Sequence, residues 1–233
     1  MIHVLLGLAF ICALIDWYSV WQKNRKIEVV VKPLTMVFLI SWIYFFGLDE
    51  NIIETNLVYF IIGLGLCLIG DIFLFLPARK YFMPGLIAFL LGHLSYIVGF
   101  GGFENFSKFM IPFLIYLSVI LVIGIKIVGR MISGLRQQKK ERLIIPLILY
   151  AVVISAMLGS AGYRFFDQNW KTAGAYLVTI GAVLFYISDV LNAWERFVNK
   201  FRNDRLIIMF TYHLGQFGLA IGVALHFAGN LPG

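Results

Sequence analysis

Five ionisable side chains sit inside long apolar runs of this 233-residue chain: Asp16, Asp71, Asp189, His93 and His213. Lys32 stands at the edge of another run, and Tyr96, Tyr150, Asn192, Tyr212 and Gln216 add neutral polar groups. A charge carried into a bilayer is costly, so such residues are functional candidates by default. Two carboxylates can divide general acid and base work between them. Carboxylates and imidazoles in series can instead relay protons. Metal ligation needs convergent ligands, and no HxxxH or HExxH pair occurs; the two histidines fall in separate segments. No metal and no cofactor are therefore expected. Nucleophile and nucleotide signatures are absent as well: there is no GxSxG, no phosphate loop and no GxGxxG, and Ser95 and Ser188 have no special turn context.

Each candidate also has a structural reading. Asp71 and Asp189 could be helix-packing carboxylates paired with an interfacial Lys or Arg. Their recurrence at corresponding places in two runs favours function. Asp16 precedes an interfacial aromatic pair, Trp17 and Tyr18, where a structural role is favoured. His93 and His213 fit helix–helix hydrogen bonding equally well. Lys32 reads as a snorkelling anchor, unless it neutralises one of the aspartates.

The elements that carry these residues are membrane spans. Of the chain, 61% is hydrophobic and 13% charged, with a mean hydropathy of +0.90, whereas soluble domains carry about 25% charged residues. Eight apolar segments are expected to cross the bilayer: Ile2–Val20, Pro33–Leu48, Leu57–Leu76, Phe82–Phe100, Phe109–Val128, Leu143–Tyr163, Ala173–Leu191 and Leu206–Phe227. The first lacks a positive n-region and a small-residue cleavage site, so it reads as a true span rather than a signal peptide. Cys12 and Cys67 lie within spans and say nothing about redox compartment. The expected fold is an all-α polytopic membrane helix bundle, one integral membrane domain over residues 1–233. Nothing in the sequence bears on oligomeric state.

Loop charge sets the orientation. All but three of the 19 Lys and Arg lie in or beside the loops after the first, third, fifth and seventh spans; the exceptions are Lys108, Arg164 and Lys171. The positive-inside rule places those loops in the cytoplasm and both termini outside it, in a cell membrane. Topology thus accounts for the net charge of +7. The basic residues are expected to meet anionic headgroups and not nucleic acid. With this orientation Asp16, Asp71, Asp189, Lys32, Tyr212, His213 and Gln216 share the inner half of the bilayer, and His93 reaches the midplane. One cytoplasm-facing pocket is expected, with Asp71 and Asp189 facing it and Lys32, His93, Asn192, Tyr212, His213 and Gln216 lining it. A weak parallel four-helix repeat also shows. Pro-Leu opens the second and sixth spans, Asp closes the third and seventh, and His-Leu recurs in the fourth and eighth. Such short matches also arise by chance in apolar sequence.

The run GDIFLFLPARKYFMPGLIAFLLGHLSYIVGF (Gly70–Phe100), the KPL at Lys32, GAVLFYISDVLNAWERF (Gly181–Phe197) and YHLGQFGLAIG (Tyr212–Gly222) together resemble the YhhN-like lysoplasmalogenase family. The resemblance covers nearly the whole chain. It implies a hydrolase that cleaves the vinyl ether bond of lysoplasmalogens to a fatty aldehyde and glycerophosphoethanolamine or -choline. It maps the family's paired aspartates onto Asp71 and Asp189, and more loosely its pocket residues onto Lys32, His93, Tyr212 and Gln216. The implied partners are a lysophospholipid substrate and the bilayer. Vinyl ether hydrolysis protonates the β-carbon and passes through an oxocarbenium ion, as glycosidases do, so it needs an acid, a base and nearby negative charge. Two aspartates, one protonated and one ionised, supply all three. Lys32 or an inner-loop Arg would hold the phosphate. The competing expectation is a small proton-coupled transporter using the intramembrane Asp and His residues. A lipid-binding scaffold without chemistry is the third reading.

Overall fold

Eight helices follow one another with short connections: α1 (Ile2–Trp21), α2 (Arg25–Asp49), α3 (Thr55–Phe75), α4 (Ala78–Phe100), α5 (Phe106–Gln137), α6 (Ile144–Tyr163), α7 (Thr172–Phe197) and α8 (Asp204–Ala228). The computed structural model describes residues 2–50, 52, 55–102, 106–170 and 172–228. Lys171 and Gly233, and the side chains of Arg79 and Lys108, lie outside the described residues. All eight helices are long and apolar enough to cross a membrane, so the chain is a multi-pass membrane protein. Among the described residues there is no strand.

Three of the helices run past the apolar segments that announce them. The second begins at Arg25, eight residues before Pro33, because Asn24 caps it by accepting from the Ile27 amide at 3.4 Å. Pro33 therefore lies inside the helix. Its ring removes one backbone donor, a loss that neighbouring helices help to tolerate at membrane depth. Charged residues at Arg25, Glu28 and Lys32 hide this extension from a hydropathy reading. Yet Glu28 and Lys32, one turn apart, both point inward and are buried. The snorkelling reading of Lys32 is thus corrected: the lysine is a core residue. Helix α5 continues to Gln137, where Met131 and Leu135 form a small apolar cluster with Leu147 and Phe197. Helix α7 continues to Phe197, which makes Arg196 a helix residue rather than a loop charge.

The connections at the basic end are tight. Three of the four turn through a residue with positive φ: Lys23 at 57°, Lys139 at 56° and Asn203 at 57°. At the other end Arg164 is buried, pairing with Asp167 at 2.7 Å and donating to the Gly102 carbonyl at 2.7 Å. It ties the α6–α7 connection to the end of α4 and is not a loop charge in water.

Six helices form a closed ring in the order α2, α3, α4, α6, α7, α8 and back to α2. The first helix packs outside it against α2 and α8, and α5 packs outside against α6 and α7. Exchanging α2, α3 and α4 with α6, α7 and α8 maps the ring onto itself, whereas α1 and α5 break the correspondence. The tightest seam joins α7 to α8. A Cβ on Gly181 would lie 2.6 Å from the Leu219 amide nitrogen, and one on Gly218 would lie 2.7 Å from the Gly181 Cα. Small residues at such a seam let backbones approach closely where lipid offers no hydrophobic drive. Most of the fifth helix faces outward, with Ile111, Ile115, Leu121 and Ile125 exposed, as a lipid-facing surface requires.

Reporter fusions test this path. A reporter at the C-terminus and one inserted at Lys139–Lys140 are expected on opposite sides of the membrane, the second in the cytoplasm. The same side for both contradicts eight crossings.

Candidate active site

Two carboxylates organise the polar layer, each carried by the third helix of its half. Asp71 lies near the end of α3 and is fully buried. Its Oδ1 meets Lys32 Nζ of α2 at 2.7 Å, and its Oδ2 accepts from the Tyr212 hydroxyl of α8 at 2.6 Å. The lysine ammonium also lies 4.8 Å from the Tyr212 ring centroid, a second contact that favours a cation there. Asp71, Lys32 and Tyr212 are thus one buried, charge-assisted unit.

Asp189 occupies the equivalent place on α7. Its Oδ2 accepts from the Tyr150 hydroxyl of α6 and lies 3.1 Å from His93 Nε2 of α4. His93 Nε2 is also 2.9 Å from the Tyr150 oxygen. His93 Nδ1 has no partner, which fits the tautomer that carries its proton on Nε2 and donates it to the carboxylate. Each aspartate is therefore held by the helix before it and by the last helix of the other half: α2 and α8 for Asp71, α6 and α4 for Asp189. The clusters differ in one respect that matters for chemistry. Asp71 has a lysine, where Asp189 has only a tyrosine hydroxyl and an imidazole. The Asp71 side chain, though it borders the chamber described next, has no exposed surface, whereas the Asp189 side chain is 13% exposed.

That exposure is to cavities. A chamber of about 180 Å³ is lined by both aspartates, by Lys32, Tyr212 and Asn192, and by Arg25, Arg196, Lys200 and Arg205. A narrower, mainly apolar slot of about 60 Å³ lies between Phe82, Leu86 and Phe89 of α4, Leu147 and Tyr150 of α6, and α7. Asp189, Asn192 and Arg196 line both. The chamber's mouth is braced by Glu28, which pairs with Arg205 of α8.

Not every expected pocket residue faces this space. His213 turns toward α1, where its Nδ1 accepts from Trp17 Nε1 at 3.0 Å and lies 4.0 Å from Asp16 Oδ2. Gln216 accepts from Tyr96 at 2.8 Å within the core, near Cys67. Neither lines the chamber or the slot, and His93, fully buried behind Asp189, lines neither as well. Asp16 is buried and its carboxylate oxygens have no hydrogen-bond partner among the described residues. Conversely, Arg196, Arg205 and Glu28 belong to the site and were not singled out for it, and Tyr150, named only as a neutral polar group, is a direct partner of Asp189. A helical reading of residues 189–196 finds Arg196, since positions seven apart share a face. Tyr150 gives no such signal. No cluster of three His, Cys, Asp or Glu residues fit for a metal occurs among the described residues.

Removing one partner of a buried ion pair leaves the other charge uncompensated and costs about 3–5 kcal/mol. We expect Lys32→Met to lower stability on that scale, measured by unfolding in detergent. The double variant Lys32→Met/Asp71→Leu should be more stable than the single one. A Lys32→Met protein as stable as the parent contradicts the pairing.

Comparison with known proteins places the chain in a family. The YhhN family model matches residues 27–223, a range that holds both carboxylate clusters. Human lysoplasmalogenase TMEM86B is 30% identical over 148 residues, covering 64% of this chain and 55% of the human protein. The chain thus spans only about half of that relative. A lysoplasmalogenase homolog of Dictyostelium discoideum is 26% identical over 251 residues, covering 93% of this chain and 82% of its own. The membrane protein YhhN of Escherichia coli O157:H7 is 26% identical over 199 residues, covering 84% and 85%. No solved structure matches the chain. With its family match spanning all but the two ends, this eight-helix membrane protein belongs to the YhhN family.

Proposed function

We propose that this protein hydrolyses the vinyl ether bond of lysoplasmalogens, releasing a fatty aldehyde and a glycerophospho head group. One observation carries the reading. A carboxylate held by a tyrosine and a histidine, Asp189, stands where an apolar slot meets a charged chamber, and a second carboxylate, paired with a lysine, lines the same chamber. The substrate has the same division: an apolar alkenyl chain, an acid-labile bond and an anionic head. The lysoplasmalogenase names of the relatives support the same class.

The roles follow from the partners. Asp71, paired with Lys32, is assigned the role of fixed negative charge. At Asp189 both donors use Oδ2, so Oδ1 is the oxygen assigned to hold and donate a proton. Asp189 passes that proton to the β-carbon; the carbon–carbon double bond becomes single, and the oxocarbenium ion forms at the carbon bearing oxygen. Negative charge placed in advance stabilises the developing cation. Water then adds to that carbon and gives a proton back to Asp189. In the resulting hemiacetal the hydroxyl gives up its proton as its C–O bond becomes the carbonyl, the bond to the glycerol oxygen breaks, and that oxygen takes up a proton in exchange, so that the aldehyde leaves. The cycle consumes one water and returns Asp189 to its protonated form. Tyr150 and His93 hold the Asp189 carboxyl in place throughout.

The rival reading, a proton-coupled carrier, has one observation in its favour: the buried Asp16 carboxylate without a hydrogen-bond partner among the described residues. A carrier has no catalytic work to do in detergent, which separates the two. Purified protein in detergent micelles is expected to release aldehyde and glycerophosphoethanolamine in equal amounts from the ethanolamine lysoplasmalogen. In heavy water the reaction should slow, and the aldehyde should gain one deuterium on the carbon next to the carbonyl. A folded protein that releases no aldehyde contradicts the proposal.

A further inference from the structure

Asp189, Asn192 and Arg196 follow one another at three and seven residues along α7, a spacing that returns to one helix face. All three line both the slot and the chamber. The Asn192 amide, with two N–H donors and a carbonyl acceptor, hydrogen-bonds no described group. The Arg196 guanidinium lies 4.5 Å from the Phe82 ring centroid, and no described carboxylate forms an ion pair with it. Polar groups of this kind, set at fixed intervals along a cavity wall with no ion pair or hydrogen bond to a described side chain, are available to a ligand.

The intervals match one. A helix rises 1.5 Å per residue, so Asn192 stands about 4.5 Å and Arg196 about 10.5 Å along the axis from Asp189. An extended chain advances about 1.2 Å per bond. In a 1-alkenyl glycerophospholipid the sn-2 hydroxyl oxygen is five bonds from the β-carbon, or about 6 Å, and a phosphate oxygen is eight bonds away, or about 10 Å. We propose that this face of α7 measures a single-chain ether glycerophospholipid: Asp189 addresses the vinyl ether carbon, Asn192 the free sn-2 hydroxyl and Arg196 the phosphate. The assignment rests on the hydrolase reading above. Its consequence is a physical basis for rejecting a two-chain lipid. An acyl group at sn-2 removes the hydroxyl donor opposite Asn192. It also brings a second chain into a chamber of about 180 Å³ whose walls carry Lys32, Arg196 and Arg205.

The test compares substrates on one protein preparation, so that any misfolded fraction cancels. The probes are 1-alkenyl-glycerophosphoethanolamine, its 2-deoxy analogue, and 1-alkenylglycerol, which lacks the phosphate. For the parent protein kcat/KM should favour the hydroxyl substrate over the deoxy analogue on the order of tenfold, the size of one hydrogen bond in a closed site. In Asn192→Ala that ratio should fall close to one. In Arg196→Gln the preference for the phosphate substrate over 1-alkenylglycerol should fall on the order of tenfold or more, mainly through KM. An Asn192→Ala protein that keeps the parent's hydroxyl preference, or a parent with none, overturns the Asn192 assignment; an unchanged phosphate preference in Arg196→Gln overturns that of Arg196. Either result leaves the hydrolase reading standing. A parent protein that cleaves none of the three probes overturns both.

Discussion

A carboxylate taken into hydrocarbon must bring its donors with it, and the ion pair of Asp71 with Lys32 is where this bundle meets that demand most strictly. The pair forms only because α2 begins at Arg25, two turns before its apolar stretch, so that Lys32 sits on a formed helix facing α3. The second donor, Tyr212, comes from α8. One buried charge therefore links the first half of the chain to its last helix and closes the ring. The contact of Glu28 with Arg205 repeats the α2–α8 link one turn nearer the basic end. Buried pairs of this sort are weak net contributors to stability but costly to break, so they specify an arrangement more than they strengthen it.

On the other side of the ring the same plan is carried out with neutral groups. Tyr150 and His93 take the places that Lys32 and Tyr212 hold around Asp71. A near-symmetric frame thus gives two carboxylates opposite environments. One is locked against a cation and has no exposed surface. The other is partly open to a cavity, and among the described residues no lysine or arginine lies within ion-pair distance of it. Enzymes that work with two acids need this separation of roles, and it is set by partners rather than by the residues themselves. Under the hydrolase reading, α7 then serves twice, carrying the acid and the groups that measure the substrate beside it.

Much of this was legible in the chain. The alternation of basic loops fixed the number of spans, and the isolation of Asp71 and Asp189 in apolar runs marked them without any structure. What was hidden has physical causes. Charges at Arg25, Glu28, Lys32 and Arg196 look like loop residues to a hydropathy window, although all four line the chamber and two of them, Glu28 and Lys32, are buried. Helix facing was harder still. In a membrane helix both the lipid side and the core side are apolar, so the 3.6-residue period that marks a buried face in water is weak. Nothing local distinguishes His93, which reaches Asp189, from His213, which faces Trp17 and α1. Tyr150 meets Asp189 from another helix, and no sequence spacing records that contact.

The account turns on Asp189 delivering the proton while Asp71 stays ionised. Its most direct test is the turnover of folded Asp189→Asn protein on lysoplasmalogen, with folding verified by its unfolding profile in detergent. The amide can still accept the Tyr150 and His93 hydrogen bonds but cannot transfer a proton. General acid–base catalysis is worth about 10²–10⁴-fold per group, so a loss of that size is predicted. Turnover near that of the parent protein would contradict the assignment and leave Asp189 a packing residue.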